Sequence, residues 1–120
     1  MVKKAILFDL DDTLYDYEST HKKSMNEVYT FVKKELKISR KKFLKLFEQS
    51  KSEVKMELEG TASAHNRVLY FQRLIEKTHK TLEAGLVKKL YRIYWDFFVR
   101  DMKLSSGVLE TLKEMTSSPH

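Results

Sequence analysis

The order of apolar and polar positions predicts one strand followed by five helices. Residues 4–9 form an apolar run without alternation, which is typical of a strand buried on both faces of a parallel sheet. From residue 18 to residue 115 the apolar positions recur every three or four residues, which places them on single helix faces. Four of these helices have matching lengths and short connections. The pattern therefore predicts a small antiparallel bundle.

The predicted helix boundaries rest on residues that favour helix ends. The helices are expected at about 18–36, 40–58, from 61 onward, 82–100 and 106–115. Asp16 and Ser39 are predicted N-caps of the first two helices, because their side-chain oxygens accept hydrogen bonds from free backbone N–H groups. Gly60 is expected directly after the second helix, where a positive φ suits glycine, and Thr61 is expected to open the third. The fourth helix is apolar over a wide arc, which predicts burial by several neighbours.

The single predicted strand has no partner strand in the sequence. A lone strand leaves backbone donors and acceptors without hydrogen bonds, and a parallel partner requires a crossover connection. Three alternatives remain: residues 4–9 are not a strand, their partners lie on residues outside these 120, or they pair with another chain. An uncovered strand and a wide apolar helix face also predict a tendency to self-associate.

Composition narrows the structural class and the compartment. A chain of 120 residues makes one ordinary domain or two very small ones, and one Pro with three Gly favours helices over a many-turned β fold. The absence of Cys excludes disulfides and thiolate metal sites and suits a reducing cytoplasm. Asp9 interrupts the first apolar run too early for a signal peptide, and no later stretch is long enough to cross a membrane. A cytoplasmic protein without a membrane partner is therefore expected.

The net charge of +6 has a local source. Seven basic residues fall between positions 33 and 45, against Glu35 alone. A basic patch can attract phosphates or nucleic acid, but no nucleic-acid-binding motif accompanies this one. We interpret the stretch as a solvated helix end and loop, and we expect no nucleic-acid partner.

Carboxylates follow the predicted strand directly. Asp9 and Asp11 lie two positions apart, where the ends of parallel strands place ligands in α/β folds. Such residues can bind a hard cation such as Mg²⁺, and a carboxylate can also act as a nucleophile toward phosphorus. Thr13 can fix the loop through hydrogen bonds from its side chain to the backbone. The alternative is that these acidic residues only cap and solvate the next helix.

The order of residues in this loop is specific. The stretch AILFDLDDTL at residues 5–14 resembles the first motif of the haloacid dehalogenase superfamily, hhhhDxDxT. The resemblance implies an α/β fold with a Rossmann-like core and a helical cap. Residues 1–16 would be the first strand and catalytic loop, residues 17–101 a four-helix cap, and residues 102–120 the return to the core with one helix, then truncated. This chain would be mainly helical, with one N-terminal strand and an incomplete core sheet.

The resemblance also implies a role for each matching residue. Asp9 would be the nucleophile that becomes an aspartyl-phosphate, and Asp11 would be the general acid and base. The Asp9 carboxylate and the Asp11 backbone carbonyl would ligate Mg²⁺, Thr13 would support the loop, and Asp12 holds a variable position without a catalytic role. The 2-haloacid dehalogenases typically carry a non-acidic residue at the position of Asp11. An acid there favours phosphoryl transfer, because a poor leaving oxygen needs a proton donor, so a Mg²⁺-dependent phosphatase is predicted before a dehalogenase.

In this family the cap selects the substrate. His65, Asn66 and Arg67 are the candidate selecting residues, since helix N-termini and arginine suit anions. The alternative is that they are ordinary surface polar residues. His21 has no metal-ligand spacing and is expected at the surface. The predicted substrate is a small phosphorylated metabolite, and no feature chooses among metabolite classes.

The family supplies further motifs later in its sequence. They are a Ser or Thr that holds the phosphate, a Lys that stabilises the aspartyl-phosphate, and an acidic pair that completes the Mg²⁺ site. None can be located after Met115, so these 120 residues alone are expected to be weak or inactive. The alternative function is a non-catalytic helical module, derived from such a cap, that assembles through its unpaired strand or apolar helix faces.

Overall fold

The computed structural model describes residues 5–79 and 83–117, and these residues form five α-helices and one 3₁₀ turn. The helices are α1 (Tyr17–Leu36), α2 (Arg40–Glu57), α3 (Arg67–His79), α4 (Ala84–Asp101) and α5 (Val108–Ser117), and the 3₁₀ turn spans Ala62–His65. Every predicted helix is therefore present. The predicted start of the fourth helix, at residue 82, lies outside the described residues. None of the described helices is both long enough and apolar enough to cross a bilayer.

Both predicted N-caps are confirmed. The Asp16 carboxylate accepts a hydrogen bond from the Ser19 backbone N–H at 3.3 Å, and the Ser39 hydroxyl accepts one from the Lys42 N–H at 3.2 Å. Between these two caps, α1 ends at Leu36, and the next residue, Lys37, adopts the left-handed conformation with a φ of 52°. The short connection from α1 to α2 is therefore set by local backbone chemistry.

The connection from α2 to α3 differs from the prediction. Gly60 has the expected positive φ of 83°, but α2 has already ended three residues earlier. Thr61 does not open the third helix, because the 3₁₀ turn Ala62–His65 comes first. The Asn66 side chain then accepts a hydrogen bond from the Val68 N–H at 2.9 Å, so α3 begins directly after Asn66.

Helices α1 to α4 form the predicted antiparallel bundle. Helix α1 packs mainly on α4, α4 also packs on α3, and α3 packs on α2. Lys23 near the start of α1 pairs with Asp101 at the end of α4, with 3.7 Å between the charged atoms. Arg73 in α3 binds both carboxylate oxygens of Glu57, at the end of α2, at 2.6 and 2.7 Å. Lys77, further along α3, pairs with Glu53, one turn earlier in α2, so these two helices run in opposite directions.

Aromatic side chains from α2, α3 and α4 form the centre of the core. Phe47 packs on Phe71 with ring centroids 5.7 Å apart, Phe71 lies 6.2 Å from Tyr94, and Tyr94 lies 5.7 Å from Phe98. All four are at most 2% exposed, and burial of side chains of this size contributes about 1.5–3 kcal/mol each. Helix α4 needs its wide apolar arc because it packs on both α1 and α3.

The prediction of a strand at residues 4–9 is wrong for residues 5–9, which are the part that the structure describes. Residues 5–10 have no regular secondary structure, and Leu7 is 96% exposed. Within residues 5–79 and 83–117 the only β-type pairings are isolated bridges, between Asp11 and Tyr15 and between Tyr15 and Leu104. The physical reason is that no described segment offers this backbone a continuous ladder of hydrogen bonds. The helical part of the predicted fold is present, whereas a core sheet is not seen in these residues.

The acidic loop and the segment after α4 lie side by side. The Ser105 N–H donates to the Leu14 carbonyl at 2.7 Å, next to the bridge between Tyr15 and Leu104. The chain therefore leaves the bundle where it enters, and this pairing holds the loop at one end of the bundle.

The basic stretch between residues 33 and 45 is solvated, as predicted. All seven of its Lys and Arg side chains are exposed. Arg40 makes the most specific contact of the group. Its guanidinium lies over the Tyr29 ring at 5.7 Å and donates to the Asn26 side-chain oxygen at 2.5 Å.

Candidate active site

The acidic loop is a tight backbone turn. The N–H groups of Thr13 and Leu14 both donate to the Leu10 carbonyl, at 3.2 and 3.0 Å. Asp12 adopts a positive φ of 59°, a conformation that Asp tolerates better than most residues. Its carboxylate accepts the Tyr17 N–H at 2.9 Å at the first turn of α1. Asp12 therefore has a structural role here.

Tyr15 fixes the carboxylate of Asp11. The Tyr15 side chain is buried, packs edge-on against Phe98 at 5.8 Å and donates its hydroxyl to Oδ1 of Asp11. Burial raises the pKa of Tyr15 above its usual value, and the hydrogen bond to Asp11 raises that pKa further. The hydroxyl therefore remains a donor across the physiological range, and Asp11 is held in one orientation with Oδ2 available.

A cavity of about 300 Å³ lies between this loop and the bundle. Asp11 contributes to its wall from the loop, and Lys51 and Lys55 contribute from α2. His65 comes from the 3₁₀ turn and Arg67 from the start of α3. The structure therefore brings three of the predicted site residues, Asp11, His65 and Arg67, to one cavity although more than fifty positions separate Asp11 from the others.

Arg67 is held by aromatic side chains. Its guanidinium carbon lies 4.7 Å from the Tyr94 ring centroid, 5.3 Å from Trp95 and 5.6 Å from Tyr17, and it donates to the Tyr17 hydroxyl. These are cation–π distances. Its Nε is buried without a hydrogen-bond partner among the described residues. Arg67 is thus positioned in the wall of the cavity rather than free at the surface.

His21 was expected at the surface, but the structure shows it partly buried. Its Nδ1 lies 2.6 Å from the Tyr94 hydroxyl, and its ring stacks on Tyr17 with centroids 5.4 Å apart. Burial, together with the charges of Arg67 and Lys51, lowers the pKa of His21 to about 4. The imidazole is therefore neutral near pH 7 and shares a hydrogen bond with the Tyr94 hydroxyl. Chain position alone gave no signal that α4 would cover this ring.

The other predicted site residues lie apart from the cavity wall. Asp9 is exposed on the irregular segment before the turn. Thr13 lines a separate cavity of about 250 Å³ beside Val108, at the start of α5, and its hydroxyl has no hydrogen bond to the described residues. Asn66 caps α3 through Val68. The roles predicted for Asp9 and Thr13 remain predictions.

Hard oxygen ligands for a cation are available at the loop. Asp9 and Asp11 both have exposed carboxylates. Within residues 5–79 and 83–117 no three His, Asp or Glu side chains converge into a metal-binding group. Mg²⁺ is commonly held by one or two carboxylates together with waters and substrate phosphate, so the donor set of this loop fits that ion.

Sequence reasoning missed two lysines of the cavity wall. Lys51 and Lys55 are four residues apart on α2, so they lie on one face of that helix, one turn apart. Phe47, one turn earlier, lies in the core and also reaches the cavity. The signal was therefore a basic i, i+4 pair that continues the line of a core residue.

Comparison with known proteins identifies the family of this chain. A family profile described as haloacid dehalogenase-like hydrolase matches residues 3–118. The chain is 30% identical to ribulose-1,5-bisphosphate 5-phosphatase of Halopiger xanaduensis over 119 aligned residues, which cover 92% of this chain and 47% of the relative. It therefore spans about half of that relative's length. No solved structure matches the chain. Because the family match includes the acidic loop, the bundle and α5, this chain belongs to the haloacid dehalogenase-like hydrolases.

Proposed function

We propose that this chain carries the nucleophile, the general acid and the substrate-selecting cap of a Mg²⁺-dependent phosphatase for a small phosphorylated metabolite. The observation that carries the proposal is Asp11 in the wall of a cavity whose other ionic residues are Lys51, Lys55 and Arg67. Cations of this kind bind phosphate oxygens through charge-assisted hydrogen bonds. The phosphatase name of the relative from Halopiger xanaduensis supports the same class.

The proposal divides the chain at the ends of the bundle. Residues 1–16 and 102–120 would belong to the hydrolase core, and residues 17–101 would form the cap. Helix α1 begins at Tyr17 and α4 ends at Asp101, which supports these boundaries. Because the cavity has one wall from the loop and the other from the bundle, a substrate bound there would be shielded from water on both sides.

The proposed reaction has two steps. A carboxylate oxygen of Asp9 attacks phosphorus and forms an aspartyl-phosphate, while the departing ester oxygen takes the proton from Asp11. Asp11 then removes a proton from water, which attacks the phosphorus, releases inorganic phosphate and restores Asp9. Tyr15 occupies Oδ1 of Asp11, so Oδ2 carries the transferred proton.

Mg²⁺ would be held by the Asp9 carboxylate and the Asp11 backbone carbonyl. When bound, the ion supplies positive charge that neutralises the phosphoryl oxygens. We propose low activity for these 120 residues alone, since the Ser or Thr, the Lys and the acidic pair of the family are not located in them.

The acid at position 11 also separates this proposal from dehalogenation. A halide leaves without a proton, whereas the ester oxygen of a phosphate needs one. The hydrogen bond from Tyr15 supports an ordered acid at this position rather than a solvated loop residue. A phosphate ester is therefore the proposed substrate, and a haloacid is not.

A second candidate function is a non-catalytic helical module. Several apolar side chains at the loop end of the bundle favour it, since Ile6, Leu7 and Leu10 are 56%, 96% and 61% exposed. Leu104 and Leu109 are also nearly half exposed. A surface of this composition can bind another protein or a second copy of the chain.

Hydrolysis of a nitrophenyl phosphate with Mg²⁺ distinguishes the two functions. We expect slow turnover that disappears in Asp9→Asn. Asp12→Asn is the matched control, because it removes a neighbouring charge but keeps the side-chain oxygen that accepts the Tyr17 N–H. Equal turnover in the wild type and in Asp9→Asn would contradict the nucleophile assignment. Absence of Mg²⁺-dependent turnover in every variant would favour the helical module.

A further inference from the structure

The cavity that Asp11 shares with the bundle has an excess of positive charge. Lys51, Lys55 and Arg67 contribute three cations, and Asp11 contributes one carboxylate. That carboxylate already accepts a hydrogen bond from Tyr15. None of the three cations forms an ion pair with a carboxylate of a described residue.

Two other cations of α3 are paired with carboxylates of α2. Arg73 binds Glu57 at 2.6 Å, and Lys77 binds Glu53 at 2.8 Å, so this part of the contact between α2 and α3 is neutralised. The cavity wall that contains Lys51, Lys55 and Arg67 has no such neutralising carboxylates from the described residues of the bundle. Partly buried cations without counter-ions are electrostatically unfavourable, and an anionic ligand would compensate them.

The surroundings of these three cations also favour binding of an anion. His21 is held neutral, because burial and the nearby charges of Arg67 and Lys51 lower its pKa to about 4. The Arg67 guanidinium is fixed between Tyr17 and Tyr94, so it is ordered before a ligand arrives. An ordered cation in a partly desolvated wall binds an anion more strongly than a mobile surface lysine does.

The size of the cavity limits the ligand. About 300 Å³ is the lower end of the range for small-molecule sites, which suits one end of a small metabolite rather than a polymer. The lysines are one helical turn apart, about 6 Å along α2, so both can reach one tetrahedral anion.

We infer that Lys51, Lys55 and Arg67 bind a second phosphate of the substrate, separate from the phosphate transferred at Asp9. The inference rests on the proposed phosphatase function and narrows its substrate class to small molecules that carry two phosphates. One phosphate reaches the acidic loop, and the other neutralises the cations of the bundle. The scissile ester is thereby oriented toward Asp9 by a group that takes no part in the reaction.

Equilibrium binding tests the inference without requiring turnover. The probes are linear diol bisphosphates of graded length, their matched monophosphates, and phosphates that carry a terminal carboxylate instead. Binding is measured by titration calorimetry and by fluorescence of Trp95, which lies 5.3 Å from Arg67. We expect at least one bisphosphate to bind about ten- to a hundredfold more tightly than its monophosphate.

Variants of α2 assign that difference to the cavity. Lys51→Met and Lys55→Met should each remove most of the bisphosphate advantage. Lys45→Met makes the same charge change at an exposed position of α2 and should have no effect. Lys51→Arg should still bind the bisphosphate more tightly than the monophosphate. That result would show that the variant folds and that the positive charge at position 51 is responsible for the difference.

Each outcome separates this inference from the proposed function. Loss of the bisphosphate advantage in Lys51→Met supports the subsite even if Asp9→Asn hydrolyses phosphate as well as the wild type does. Equal affinity for bisphosphates and monophosphates overturns the subsite even if Asp9 proves to be the nucleophile. Equal affinity for bisphosphates and terminal carboxylates overturns the assignment to phosphate.

Discussion

Acidification should destabilise this protein through His21. In the folded state the pKa of His21 is lowered from 6.5 to about 4, first by burial and then by the charges of Arg67 and Lys51. In the unfolded chain the imidazole has its ordinary pKa and takes up a proton earlier. The neutral ring therefore stabilises the fold above about pH 6.5, and this contribution is lost progressively as the pH falls toward 4.

The magnitude follows from proton linkage. A pKa of 6.5 in the unfolded chain and about 4 in the folded protein lowers the free energy of unfolding by about 2 kcal/mol when the pH falls from about 7.5 to about 5. Because the ring is only partly buried, screening by solvent reduces this value to about 1 kcal/mol. Few carboxylates titrate in that interval, so the effect of the histidine stands apart from general acid denaturation.

Urea unfolding followed by the fluorescence of Trp95 at the two pH values measures this loss. His21→Gln removes the titrating group and should be less sensitive to acid by about 1 kcal/mol. His65→Gln, at an exposed histidine of the same cavity, is the control and should behave like the wild type. If His21→Gln loses as much stability as the wild type, or if an NMR titration of His21 has its midpoint above 6.5, the reasoning is refuted.

Four further outcomes are expected. Tyr15→Phe should lower kcat about tenfold at constant KM, because Asp11 loses its orienting donor, and an unchanged kcat would contradict that role. Leu74→Ala should remove about 2–5 kcal/mol from the unfolding free energy in urea, because Leu74 is fully buried, and a loss below that range would contradict the packing. Lys37→Gly should add about 0.5–1 kcal/mol by relieving a left-handed backbone, and a destabilised variant would argue against that conformation. Leu7→Lys should reduce self-association in light scattering, and a wild type that is monomeric at high concentration would remove the basis for this prediction.

The helices could be predicted from the sequence because their determinants are local. Asp16 and Ser39 cap backbone N–H groups three residues ahead, and such a bond depends on no distant part of the chain. The apolar spacing of α4 likewise predicted a helix with several neighbours, and Tyr94 and Phe98 are buried as that requires. The antiparallel bundle then follows from short connections.

Local sequence features could not show whether residues 4–9 form a strand. A strand forms only when another backbone supplies its hydrogen bonds, and an apolar run such as residues 4–9 does not reveal whether that backbone is present. In the described residues Leu7 is almost fully exposed, so the apolar pattern marks a segment suited to burial rather than a strand that has formed.

The candidate site was predictable only at the acidic loop. Order along the chain identified Asp9 and Asp11, and helix position identified Arg67 as a candidate cation. The roles of Lys51 and His21 depend on which helix faces the loop, and that depends on how the bundle packs. Such information is not local, so a surface histidine was expected where the structure has a neutral, partly buried one.

The central claim is that Asp9 accepts a phosphoryl group. Its most direct test is peptide mapping of the Asp11→Asn variant after exposure to acetyl phosphate and Mg²⁺. Acetyl phosphate has a good leaving group that needs no acid, and loss of the general base should slow hydrolysis of the intermediate. We predict a hydroxylamine-labile phosphoryl group on Asp9, which is absent when Asp9 is also changed to Asn. A phosphoryl group on another carboxylate, or equal labelling when Asp9 is Asn, would contradict the account.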